Sequence, residues 1–196
     1  SYNYLDKTVF FPYSLDTRLF FEVDFNKKIN KILISGESRH FVYEKRANLI
    51  KNRNKNIFDI LTRPPNKADL INPSNNNNLN INYKFRQYKT PESGMTGYYK
   101  TLANYKGAIM VLASKPLDFI LGKFIEIFNT NSLAYLDYSN EIYNRLYLVP
   151  FDDYIPIIID YNNNSIDQEP DYYTKYINNE TIYKKGHQTS ARYPKE

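Results

Sequence analysis

Residues 19–36 read LFFEVDFNKKINKILISG, and the fold turns on how the two apolar runs in this stretch are joined. In the first run Leu19, Phe21, Val23 and Phe25 alternate with Phe20, Glu22 and Asp24, which is the period-2 pattern of a half-buried strand. A polar turn at residues 26–28 and a second apolar run at 29–34 complete a β-hairpin, which Gly36 ends. Residues 38–43 extend the pattern to a third strand, with His40 and Val42 alternating against Phe41 and Tyr43. A short hairpin connection can join only antiparallel strands. The stretch therefore predicts an α+β fold built on a mainly antiparallel sheet.

Outward from this point, residues 44–62 read as a broken helix, with Leu49, Ile50, Phe58, Ile60 and Leu61 among basic residues, stopped by Pro64 and Pro65. Residues 64–80, PPNKADLINPSNNNNLN, have little to bury and predict a long surface loop. In residues 107–130, Ala108 to Leu112 form a buried-strand run that leads through Ser114 and Pro116 into the principal amphipathic helix, about 117–128. Leu117, Ile120, Leu121, Phe124 and Phe128 share one face of that helix and pack it on the sheet. Further apolar runs follow at 133–138, ambiguously at 141–149, and at 154–161, where Ile157, Ile158 and Ile159 suit a central strand. Beyond that the periodicity is lost. The reading is one α+β domain over residues 1–160 and a Tyr/Asn-rich C-terminal arm over 161–196, extended on a surface.

Composition bounds the function. The chain has 196 residues, 42% hydrophobic and 24% charged, enough apolar material for a core, so a wholly disordered chain is excluded. No run approaches the roughly 20 apolar residues of a membrane span. The absence of cysteine removes disulfides, thiolate metal sites and cysteine nucleophiles. The 25 asparagines and 20 tyrosines accompany many Lys, Ile and Phe, the residues of AT-rich codons, so their abundance calls for no functional explanation. Charge is uneven: residues 1–90 carry 16 Lys or Arg against 8 Asp or Glu, and residues 91–196 carry 10 against 13. The sequence assigns no compartment.

No nucleophile elbow, phosphate loop, paired-His zinc helix or calcium loop is present; SGESRH at 35–40 and SGMTG at 93–97 are the nearest fragments, and the second reads as a turn. His40 and Glu44 lie four apart, and His187 falls in a polar tail; both histidines are read as structural. Glu126, Glu141, Asp152, Asp153 and Asp160 are the carboxylates open to acid–base work, with Asp152 and Asp153 read as a solvated turn. Asn163 and Asn179 head glycosylation triplets of the kind chance supplies in an Asn-rich chain. No catalytic residue, metal or cofactor is assigned.

The leading expectation is a non-enzymatic structural or assembly protein, such as a virion or multi-subunit component, whose partners are its own copies or other subunits. Oppositely charged halves and Tyr172, Tyr173, Tyr176, Tyr183 and Tyr193 of the arm would make the contacts. One alternative is a nucleic-acid-binding subunit using the basic stretch 39–67, with Arg39, Lys45, Arg46, Lys51, Arg53, Lys55, Arg63 and Lys67 interleaved with aromatic residues. Another is a small hydrolase or toxin-like enzyme with an acidic site that no local motif reveals.

Overall fold

The computed structural model describes residues 23–36, 43–61, 95–111, 123–137, 148–160, 165–166 and 170–190. In chain order the elements are β1 (Ile29–Ser35), α1 (Glu44–Asn52), β2 (Phe58–Leu61), α2 (Met95–Ala103), β3 (Tyr105–Met110), α3 (Lys123–Asn129) and β4 (Leu133–Asp137). They continue with β5 (Ile155–Ile157), β6 (Ile159–Asp160), β7 (Ser165–Ile166), α4 (Pro170–Tyr176) and α5 (Glu180–Ser190). The main sheet runs β2-β1-β3-β4-β5 with every pair parallel, while β6 and β7 form a separate antiparallel pair.

The sheet corrects the mainly antiparallel expectation. Ile32, Leu33 and Ile34 pair with Phe58, Asp59 and Ile60 on one side of β1 and with Gly107, Ala108 and Ile109 on the other. Both edges of β1 are filled by parallel neighbours, so no edge remains for a hairpin partner from residues 19–25. The expected turn is instead a 3₁₀ turn, Phe25–Lys27, whose entry is fixed by Asp24 accepting a hydrogen bond from the Asn26 amide at 3.0 Å. The physical reason is burial on both faces. Strands of a parallel sheet covered by helices read as continuous apolar runs, and the last four residues of β1 and all five of β4 are buried.

Alternate strand residues feed two cores. Ile32, Ile34, Ile109, Leu133, Tyr135, Ile155 and Ile157 meet Leu49 and Ile50 of α1, Tyr173 of α4 and Ile182 of α5. On the opposite face Leu33, Ala108, Met110, Ala134 and Leu136 meet Leu102 of α2 and Phe124, Ile125 and Phe128 of α3. Helices on both faces of a parallel sheet make the architecture α/β.

Other expectations divide. Lys123–Asn129 is helical, packed on the sheet as expected, while the rest of the principal helix at 117–122, the third strand at 38–42 and the loop at 64–80 lie outside the described residues. Residues 58–61, read as helix, are strand β2. Ile157 ends β5, an edge strand rather than a central one, and Ile158 is 57% exposed. The extended C-terminal arm is also corrected over the described residues 170–190, which form α4 and α5 and are anchored through Tyr173, Ile177 and Ile182. Its apolar face was hidden because tyrosines supply much of it: Tyr172, Tyr173, Tyr176 and Ile177 recur at helical spacing.

Two contacts fasten the amino edge. Lys28, 5% exposed, donates to the carbonyls of Thr130 and Asn131, both at 2.7 Å, and to Ser132 Oγ at 3.3 Å, placing its amine beyond the C-terminus of α3. At Gly186 an added Cβ would lie 2.6 Å from the Asp153 carbonyl and 2.9 Å from the Phe128 ring, so α5 reaches the turn before β5 only through a missing side chain. Gly186→Ala would gain about 1 kcal/mol in helix propensity. It would lose about 1–3 kcal/mol to overpacking against a backbone atom that cannot swing away. The expected outcome is a net loss of stability in urea unfolding; a gain would show that the two segments part freely.

Candidate functional site

In the order β2-β1-β3-β4-β5, the chain leaves β1 toward β2 on one side and leaves β3 toward β4 on the other. The carboxyl ends of β1 and β3 therefore open a crevice, the place where doubly wound sheets hold ligands. Ser35 ends β1 and Asp137 ends β4. Gly36 follows β1 with φ 108°, a backbone region that glycine adopts without strain.

On the α1 side, Lys45 Nζ lies 3.5 Å from Asp137 Oδ2, and each side chain is 1% exposed. Lys45 and the buried Arg46 both fall in the first turn of α1, where the helix dipole opposes positive charge. Asp137 offsets that opposition. The Arg46 guanidinium also lies over the Tyr43 ring, 4.8 Å from its centroid. Tyr43, the N-cap of α1, makes no side-chain capping hydrogen bond.

On the opposite face Tyr98 Oη donates to Glu126 Oε2 at 3.0 Å. Ser35 Oγ lies 3.2 Å from the same phenol oxygen, and since the Tyr98 proton points to Glu126, Ser35 is the donor in that contact. Burial foremost, and then the Glu126 charge, push both Tyr98 and Tyr99 well above the usual phenol range. Tyr98 therefore stays protonated and passes a hydrogen bond from Ser35 to the Glu126 carboxylate. The strand alternation explains the division: Ser35 shares the face of Leu33, and Asp137 shares that of Tyr135.

Among the described residues the basic stretch is divided. Lys45 and Arg46 are buried at the start of α1, while Lys51 is exposed in its last turn and Lys55 is exposed beyond it. Arg53 is half-buried and donates to the Ile50 carbonyl. Arg39, Arg63 and Lys67 lie outside the described residues. Of the arm tyrosines, Tyr173 is in the core; Tyr172, Tyr176 and Tyr183 pack against it half-buried, and Tyr193 lies outside the described residues.

Of the candidate carboxylates, Glu126 lies on α3, Asp160 ends β6 and Glu141 lies outside the described residues. Asp152 is exposed in the expected turn and pairs with Lys185 at 2.6 Å, while Asp153, in the same turn, is buried rather than solvated and accepts from the Val149 amide at 2.8 Å. Asn179 accepts from the Ile182 amide as the N-cap of α5, and Gly97 lies inside α2 rather than in a turn. Among the described residues no group of three or more His, Cys, Asp or Glu could hold a metal ion, and no helix is long and apolar enough to cross a membrane.

Sequence reading passed over Ser35, Tyr98 and Asp137. The available signal was a polar residue closing an apolar run, as in ILIS and LAYLD. No family model and no curated protein matches the chain.

Proposed function

We propose that the chain binds a small anionic molecule in the crevice at the carboxyl ends of β1, β3 and β4. The observation that carries this reading is the Lys45–Asp137 pair, buried at the carboxyl end of β4, next to the strand pair where the order reverses. A buried ion pair is weak evidence for stability, because desolvation of the two charges offsets their attraction. Its position at the ligand end of the sheet gives it a reason. Lys45, Arg46 and the first-turn amides of α1 bring positive groups to this wall. The Ser35–Tyr98–Glu126 chain supplies the opposite wall. Placing the site in this crevice draws on analogy with doubly wound sheets, to which the buried pair adds evidence from this chain.

Thermal shift with inorganic phosphate, a nucleoside monophosphate and a dicarboxylate tests the reading. At least one is expected to stabilise the protein saturably, by about 2.7 kcal/mol at a hundredfold excess over Kd. The Lys45→Met/Asp137→Leu variant is expected to fold and lose the effect. No response from the wild type to any of the three would sink the proposal.

An assembly role is the second reading, favoured by exposed Val149 and Phe151 near the start of β5, where the Phe151 ring lies 5.8 Å from that of Tyr176. Phe151→Ser should then lower the native mass seen by light scattering; an unchanged mass would count against it.

A further inference from the structure

Among the described residues β5 ends the main sheet, its three residues all buried, and in its register with β4 Tyr135 faces Ile155, Leu136 faces Pro156 and Asp137 faces Ile157. Along such a ladder, successive residues turn their N–H and C=O groups alternately toward the neighbouring strand and away from it. Pro156 has no N–H to give β4, so Ile155 and Ile157 carry the ladder and Pro156 turns outward, as proline in a sheet must. Its outward carbonyl is not open either: Tyr172 of α4 donates its hydroxyl to Pro156 O at 2.7 Å. The Tyr172 ring is held edge-on between Tyr173, at 5.8 Å and 90°, and Tyr176, at 5.2 Å and 66°.

An uncovered edge strand is a template for pairing with another chain. Here the middle residue of the edge offers no donor, and its acceptor is already used. Ile158, the next residue, is 57% exposed and would add apolar area to any strand laid alongside. We propose that Pro156 and Tyr172 form a cap that closes the β5 edge to strand addition by a second copy of this chain.

The cap is independent of the crevice, while Tyr176 links the Tyr172 ring to Phe151. The test compares wild type with Pro156→Val/Tyr172→Phe by light scattering over a wide concentration range, with far-UV circular dichroism and a cooperative melt as the check on folding. The double variant is expected to reach at least twice the mass of the wild type as concentration rises, with a gain in β signal. A folded double variant whose mass tracks the wild type at every concentration would overturn the proposal. Should the double variant fail to fold, Tyr172→Phe alone, which keeps the ring and removes only the hydroxyl, is measured in the same way. It is expected to self-associate more than wild type, and a mass equal to wild type would overturn the cap.

Discussion

Asp137→Ala is expected to lower the unfolding free energy by about 3–5 kcal/mol, because it leaves the Lys45 ammonium buried without its carboxylate. Lys45 has little access to water, at 1% exposed, and the first turn of α1 opposes its charge. Asp137→Asn should cost less, since an amide oxygen can still accept from the ammonium. The informative variant is Lys45→Met/Asp137→Leu, which removes both charges and fills the space with apolar side chains of similar volume. Its expected stability equals or exceeds that of wild type, as when other buried pairs are replaced by well-packed apolar residues. Urea unfolding of the four proteins checks this. A double variant as unstable as Asp137→Ala would show that the pair is a structural requirement and would remove the argument that it serves a ligand.

The second large effect is a loss of stability in alkali. Burial is the main cause raising Tyr98, Tyr99, Tyr135 and Tyr173 well above the ordinary value of 10, and Tyr172 is pushed up to about 12. In the unfolded chain these phenols release protons near pH 10, while the folded protein retains them. The stability they contribute is complete below pH 10 and is lost as pH rises above it, at up to about 1.4 kcal/mol per pH unit for each phenol.

Lys28 acts on the other flank. Burial lowers it from 10.5 to about 7, so between these values the unfolded chain binds the proton that the folded chain has released. Its contribution therefore grows as pH rises from about 7 toward 10.5 and is lost as pH falls through 7. The expected profile climbs from neutral pH, peaks near pH 10 and falls steeply beyond. Lys28→Met should flatten the climb and Tyr135→Phe should soften the fall, both measured by urea unfolding at a series of pH values. A wild-type profile without the alkaline fall would contradict the burial of these phenols.

The crevice residues illustrate why local patterns reach only so far. Asp137 is a single carboxylate at the end of LAYLD, and Lys45 is one basic residue among eight in its stretch. Nothing along the chain relates them, since 92 residues separate the two. They meet because β4 lies two places from β1 and the crossover after β1 sets α1 over the sheet. Likewise Tyr98, which follows the fragment read as a turn, finds Glu126 only because α2 and α3 cover one face.

By itself the sequence determined where apolar runs lie: Ile29 to Ile34, Ala108 to Val111, Leu133 to Leu136, and the helical stripe holding Phe124 and Phe128 all fall in described strands, helices or buried positions. Those properties are local, because period and hydrophobicity belong to adjacent residues. Strand direction and order, the packing of α4 and α5, the capped β5 edge and the polar crevice came only with the tertiary structure. Parallel pairing is made through long crossovers, so its evidence lies in which distant run fills each edge. The hairpin reading of residues 19–34 failed for that reason: proximity in sequence suggested a partner for β1, while β2 and β3 occupied both of its edges.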